Sequence, residues 1–318
     1  MPGREPQGAV KARPTMKGKG HMKKVKFIAV AAAAFALVAL ALFGCSSGAS
    51  SSAASASGSS ESASASASAA SAEASASATT GLIVGFDAEY PPYGYMDKDG
   101  SYTGFDLELA EAVAKANGWT FEAKPIDWDT KDVELDSGNI NCIWNGFTME
   151  GREGQYAFTE PYMINEQVVV VKAGNEAIKT LADLKDKKVV TQAGSAALTL
   201  LSKDGDQAEL GATFAGGAPQ TITDYNNAFL QLDSGQVDAV ACDLSIAAYH
   251  LAQEPDKYIQ LGESLNSEHY AVGFKLGDEA TAQVVNDTLK ALTADGTVKT
   301  LCDKYADQGI SFENWVLE

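Results

Sequence analysis

Apolar and polar positions divide this chain of 318 residues into three stretches with different patterns. Residues 27–43 are all Ala, Val, Leu, Ile or Phe, residues 46–80 are almost wholly Ser and Ala, and from Gly81 short apolar runs alternate with amphipathic ones. Only the third stretch has the periodicities of a folded core. Its first run, Gly81–Phe86, is closed by Asp87 and followed by the turn-rich Tyr90-Pro91-Pro92-Tyr93-Gly94 and Asp97-Lys98-Asp99-Gly100, which predicts strand, loop and hairpin tip. Phe105, Leu109 and Val113 then recur at helical spacing, with Asp106, Glu108, Glu111 and Lys115 on the other face and Gly118 as the stop. Residues 121–126 alternate as a strand, 133–135 lie in a short helix, and 140–144 form another strand ending in Asn145-Gly146. Strand, helix, strand in that order predicts parallel pairing.

A second α/β unit starts near residue 170. The valine run 168–171 precedes a short helix at Leu181-Ala182-Asp183-Leu184, a strand at 188–191 and a helix after Gly194-Ser195. A helix over 225–232, a strand over 237–242, a helix over 244–251 and a strand-like run at 269–274 follow, then a long amphipathic helix and a terminal one over 298–305. The order predicts two α/β lobes with the last segment returning to the first, and no internal repeat is present.

The beginning of the chain reads as a secretion signal. Met22-Lys23-Lys24-Val25-Lys26 is basic, leads into the apolar 27–43 and ends at Gly44-Cys45. Seventeen apolar residues stand at the lower limit for an uncleaved spanning helix, for which about 20 are usual. Leu42-Phe43-Gly44-Cys45 resembles the bacterial lipobox, with Phe43 bulkier than the usual small residue, so Cys45 is the expected lipid attachment. Residues 1–21 precede the signal, which makes Met22, or else Met16, the expected start. The Ser/Ala tract cannot bury a core and reads as a tether with a root-mean-square span of roughly 30–35 Å.

Charge narrows the function classes. The formal net charge is −18, but the first 44 residues hold eight of the 24 basic side chains and one of the 42 acidic ones. What remains is 16 basic against 41 acidic groups, a formal −25 that repels phosphate backbones and excludes nucleic acid as the expected partner. Cys142, Cys242 and Cys302 have no CxxC spacing, and the three histidines are not paired at ligand spacing, so no metal site and no cofactor are expected. At most one disulfide can form among those three, and buried free thiols fit equally well.

In open α/β sheets ligands bind beyond the carboxyl ends of the strands, which singles out four places. Asp87 to Tyr90 offers an acid and a ring, alternatively a turn cap and a half-buried tyrosine. Asn145-Gly146-Phe147-Thr148 with Arg152 offers close backbone approach, a hydroxyl and a guanidinium that grips a carboxylate bidentately. Gln192-Ala193-Gly194-Ser195 opens a helix whose free N–H groups favour a carboxylate, or in which Ser195 is simply the N-cap. Asp243 suits an ammonium, although an Asp in this place is more often a helix cap.

Together these stretches resemble the amino-acid-binding class of bacterial extracellular solute-binding proteins, family 3, which serve ATP-driven importers. The resemblance runs from Gly81 to the end. It is carried by Gly85-Phe86-Asp87-Ala88-Glu89-Tyr90-Pro91-Pro92-Tyr93, Gly104-Phe105-Asp106, Trp128-Asp129, Asn145 to Arg152 with Glu160-Pro161-Tyr162, Gln192-Ala193-Gly194-Ser195, and Asp238-Ala239-Val240 before Asp243. It implies a type II periplasmic-binding-protein fold with two crossover hinge strands, lobe 1 at 81–166 and 267–318 and lobe 2 at 167–266. It also implies that Arg152 holds an amino acid's α-carboxylate, helped by Thr148 and by N–H groups near Ser195, while Asp243 and the Gly146 carbonyl receive the ammonium. Tyr90 and Trp128 would flank the ligand side chain, with Asp87, Asn145 and Gln192 lining its pocket, and Asp87 favouring a polar or basic ligand. Arg152 follows Thr148 by four residues where the family usually has five, and Ala196 and Ala197 replace polar residues at the helix start.

The expected partners are thus a free amino acid, ABC permease subunits and, through the lipid, a membrane. The expected state is a monomer on the outer face of the cytoplasmic membrane, or in the periplasm if an outer membrane is present. Two other classes share this fold: a periplasmic dehydratase, which needs a proton-transfer residue at a strand end where no histidine falls, and a ligand-sensing lipoprotein, which needs a signalling partner.

Overall fold

The computed structural model describes residues 80–318. The expected signal peptide within 1–44, the expected lipid attachment at Cys45 and all but the last residue of the expected tether at 45–80 lie outside those residues. Strand β1 (Gly81–Phe86) is followed by a small antiparallel meander, β2 (Glu89–Tyr90), β3 (Gly94–Met96) and β4 (Tyr102–Thr103), where a loop and hairpin tip are predicted. Helix α1 (Phe105–Asn117) buries Phe105, Leu109 and Val113 as their spacing predicts, and Asp106 as well; Gly118 ends it in the left-handed conformation. β5 (Thr120–Pro125), α2 (Lys131–Asp136) and β6 (Cys142–Ile143) come next, and β1 pairs in parallel with both strands. β6 is shorter than its apolar run because the chain turns out of the sheet at Asn145-Gly146, Gly146 having φ +56°.

After β7 (Tyr156–Phe158) the ten-residue β8 (Met163–Lys172) leaves this sheet for the second. The second sheet gathers β9 (Val189–Gln192), then α3 (Ala196–Leu201) and α4 (Ala208–Gly211), β10 (Gln220–Ile222), α5 (Tyr225–Ser234), β11 (Ala239–Asp243), α6 (Leu244–Gln253) and β12 (Tyr258–Gln260). α4, β10 and β12 are too short to leave a periodic trace in the sequence. The run at 269–274 is two strands, β13 (Asn266–Tyr270) and β14 (Gly273–Lys275), because Ala271 and Val272 carry the chain from one sheet to the other. α7 (Glu279–Ala294) and α8 (Thr297–Lys304) then pack against α1.

The first sheet has the order β5-β1-β6-β14-β7, and the second β10-β9-β11-β8-β12 with β13 on β8. Two strands join them: β8 goes out and β13 returns antiparallel to it, in register from Met163 opposite Tyr270 to Gln167 opposite Asn266. This is the two-lobed type II periplasmic-binding-protein fold with two crossover strands. One large apolar core runs from Leu82, Phe105 and Trp144 through Tyr270 to Val240 and Ile246, and a second lies behind β9 and β11. Cys142, Cys242 and Cys302 are all free and buried, which settles the disulfide question for these three. Among the described residues no helix is long and apolar enough to cross a membrane.

Candidate functional site

The parallel strands β1 and β6 of one sheet and β9 and β11 of the other end at a common narrow cleft. Eight of the ten expected ligand residues line it: Tyr90, Trp128, Gly146, Thr148, Arg152, Gln192, Ser195 and Asp243, with Ala196. Asp87 and Asn145 stand in the surrounding wall instead. The Asp87 N–H donates to Asn145 Oδ1 at 2.7 Å, and the Asp87 carboxylate accepts from the Glu89 N–H at 2.8 Å and from Gln192 Nε2 of the other lobe. Burial raises the Asp87 carboxyl to about 6 against those hydrogen bonds. Larger hollows lie elsewhere, one between Met149 and Glu279 and one beside Asp87 at the ends of β1 and β5, but neither gathers residues from both sheets.

The short spacing before Arg152 resolves in a tight turn. The Arg152 N–H donates to the Met149 carbonyl at 3.0 Å and Gly151 takes φ +78°, which brings the side chain back over its own loop. There the half-buried guanidinium lies 4.9 Å from the Phe147 ring centre and donates to the Thr148 carbonyl at 2.8 Å and the Gly194 carbonyl at 3.4 Å. Lys131 Nζ reaches the same Gly194 carbonyl at 3.3 Å; it is buried, and desolvation lowers it to about 8. No ion pair forms on either cation among the described residues, so this wall offers positive charge to an anion.

Asp243 brings an acidic group to the same cleft. Asp243 sits in the N-cap position of α6 but makes no capping bond. Its Oδ1 accepts from Asn165 Nδ2 at 2.9 Å, Gln167 Nε2 at 2.7 Å and the Tyr270 hydroxyl at 3.0 Å. Burial first, and the Glu268 charge second, raise its carboxyl to about 7. Ser195, by contrast, is the N-cap of α3: its Oγ accepts from the Leu198 N–H at 3.1 Å. Its own N–H turns back to the Gln192 carbonyl at 3.3 Å, so the first-turn N–H groups that remain are those beyond it. Gly146 is held by Asp106, whose Oδ2 accepts its N–H at 2.6 Å and whose carboxylate also accepts from the Tyr162 hydroxyl.

Asp106, Lys131, Asn165, Gln167, Glu268 and Tyr270 do not line the cleft but hold the residues and loops that do, and sequence reasoning passed over them. One signal was available: Asn165 and Gln167 in β8, and Glu268 and Tyr270 in β13, stand two apart on strands and therefore on one face.

Strand ends of two sheets meeting at one cleft beside two crossover strands, with a guanidinium and a carboxylate both lining it, are the arrangement expected of a solute-binding protein. The model for bacterial extracellular solute-binding proteins, family 3, matches residues 82–308, and the chain belongs to that family. It is similar to the L-cystine-binding protein TcyJ of Escherichia coli strain K12, 31% identical over 226 residues, which cover 70% of this chain and 82% of that protein. A substrate-binding protein of an ABC uptake transporter from Streptococcus pneumoniae, solved with histidine bound, superposes with a TM-score of 0.69 at 32% identity, covering 73% of this chain and 95% of the other. An ancestral amino-acid-binding protein described as a precursor of cyclohexadienyl dehydratase matches with a TM-score of 0.63 at 31% identity, covering 71% and 95%.

Proposed function

We propose that this protein captures a free α-amino acid in the cleft and hands it to the permease of an ABC importer. The observation that carries the reading is that Arg152 and Asp243 line one small cleft together with the aromatic residues Tyr90 and Trp128. Arg152 takes the α-carboxylate together with first-turn N–H groups of α3. Asp243 and the Gly146 carbonyl take the ammonium. Thr148 joins the ammonium end, contrary to the role first expected of it, because its hydroxyl proton is committed to Glu268 at 2.8 Å. Tyr90, Trp128 and Gln192 face the side chain, and Asp87, masked by Gln192, acts from behind as a second-layer acid that favours polar or basic side chains.

Residues 81–166 with 267–318 close as one lobe on 167–266, expelling water and strengthening the charged contacts inside. The protein works as a monomer held by a lipid on Cys45 at the outer face of the cytoplasmic membrane, or in the periplasm where an outer membrane exists. A catalytic role is disfavoured by where the two described histidines lie. His250 stacks on Phe229 with ring centres 3.7 Å apart and is lowered to about 4 by burial, while His269 pairs with Glu150 at 2.7 Å, and neither lines the cleft.

A thermal-shift screen of residues 81–318 against the common amino acids and L-cystine tests the proposal. An amino acid at 100 times its dissociation constant adds about 2.7 kcal/mol of stability. A shift with one or a few compounds, lost in Arg152→Ala and Asp243→Ala, is expected; no shift with any of them sinks the reading.

A further inference from the structure

Glu268 does not face the cleft, is 1% exposed and sits in the middle of the returning hinge strand β13. Its side chain is surrounded by donors. Oε1 accepts from Thr148 Oγ1, Asn165 Nδ2 and Gln167 Nε2, each at 2.8 Å, and Oε2 accepts from Asn266 Nδ2 at 3.0 Å. The amides of Asn165 and Gln167 are shared with Asp243, so two carboxylates are braced by the same pair of side chains on β8. A carboxylate has no proton to give, so in the Thr148–Glu268 bond the hydroxyl must be the donor. Thr148 then turns lone pairs, not a proton, towards the cleft it lines.

We propose that Glu268 is a positioning residue that fixes the Thr148 oxygen as an acceptor and, with Asp243, makes this part of the cleft a seat for a free ammonium. The inference rests on the amino-acid reading and deepens it: the site selects a ligand with several N–H protons on the α-carbon over the same skeleton bearing a hydroxyl. A 2-hydroxy acid has one proton to give where the seat offers several acceptors, and it carries no charge to offset Asp243. Glu268 also ties this preference to the hinge, since its partners Asn165 and Gln167 belong to the outgoing crossover strand.

Titration calorimetry on wild type, Glu268→Gln, Thr148→Val and the double variant provides the test. The probes are L-histidine, L-arginine and L-cystine, with the 2-hydroxy counterpart of whichever binds. Glu268→Gln is expected to weaken the amino acid about ten- to a hundredfold, to leave the hydroxy acid nearly unchanged, and to shrink the further loss caused by Thr148→Val. An equal loss for both probes, or an unchanged ratio, overturns the proposal. Thr148→Val alone is a second route if Glu268→Gln does not fold: an acceptor role costs only the amino acid, whereas donation to the carboxylate would cost both compounds alike and overturn the idea. If wild type binds none of the three amino acids, the amino-acid reading falls and this inference with it; binding by wild type with no change of ratio removes the inference alone.

Discussion

Lowering the pH from 8 to 5 should weaken amino-acid binding while making the ligand-free protein more stable. Asp243 is 4% exposed, and burial together with the Glu268 charge raises its carboxyl from the ordinary 3.8 to about 7. The other titratable groups that interact with it are Tyr90, Tyr93, Tyr225 and Tyr270, the Cys242 thiol and the Arg152 guanidinium. An ammonium needs the ionised carboxylate, so below about pH 7 each unit of pH costs a factor of ten in affinity, about 1.4 kcal/mol. Between pH 8 and pH 5 the dissociation constant should therefore rise about a hundredfold, and calorimetry in buffers of different ionisation enthalpy should detect about one proton released per amino acid bound below pH 7. Folding stability moves the other way. A carboxyl raised on folding binds its proton more tightly in the folded state, so its destabilising effect grows from about pH 4 to about pH 7 and is relieved as pH falls. Asp106, raised to about 7, and Asp87, raised to about 6, act in the same sense. A dissociation constant flat from pH 5 to 8, or a ligand-free melting temperature that falls steadily over that range on acidification, would refute the reasoning.

Two substitutions separate ligand contacts from scaffolding. In Gly146→Ala the new Cβ would enter at φ +56° and stand 3.1 Å from ring carbons of both Tyr90 and Tyr270, so melting should show a loss of at least about 1–2 kcal/mol together with weaker binding; an unchanged melting curve contradicts the tight backbone approach. Ser195→Ala removes the α3 cap and should cost about 1 kcal/mol, or about 2–4 °C in melting, with affinity changed less than by Arg152→Ala. A larger loss of affinity than of stability would show that the hydroxyl meets the ligand.

The parts of this molecule that depend on local pattern were readable in advance. Alternation in 121–126 and the Phe105, Leu109, Val113 stripe mark elements that form within a few residues of where they are expected, and strand ends give the four segments that converge on the cleft. What stayed hidden depends on partners far away in the chain. Nothing near Glu268 announces that its carboxylate meets Thr148, 120 residues earlier, or that Asn165 stands between it and Asp243. Asp243 and Ser195 carry the same ambiguity between cap and ligand contact, and only the directions of their side chains separate them: Ser195 turns to its own helix, Asp243 to the hinge. Asp87 and Asn145 withdraw into the wall because each finds a partner there, which their place after a strand could not reveal.

The antiparallel pair β8 and β13 is the hinge, and it also supplies Asn165, Gln167, Glu268 and Tyr270 around Asp243. An axle whose side chains also form the floor beneath the cleft-lining residues limits how new specificities can evolve. Changes on that floor would alter the swing of the lobes along with the grip on the ligand. Trp128 and Gln192, which line the cleft from segments other than the axle, are left as the positions at which a descendant of this chain could change its cargo without losing its motion.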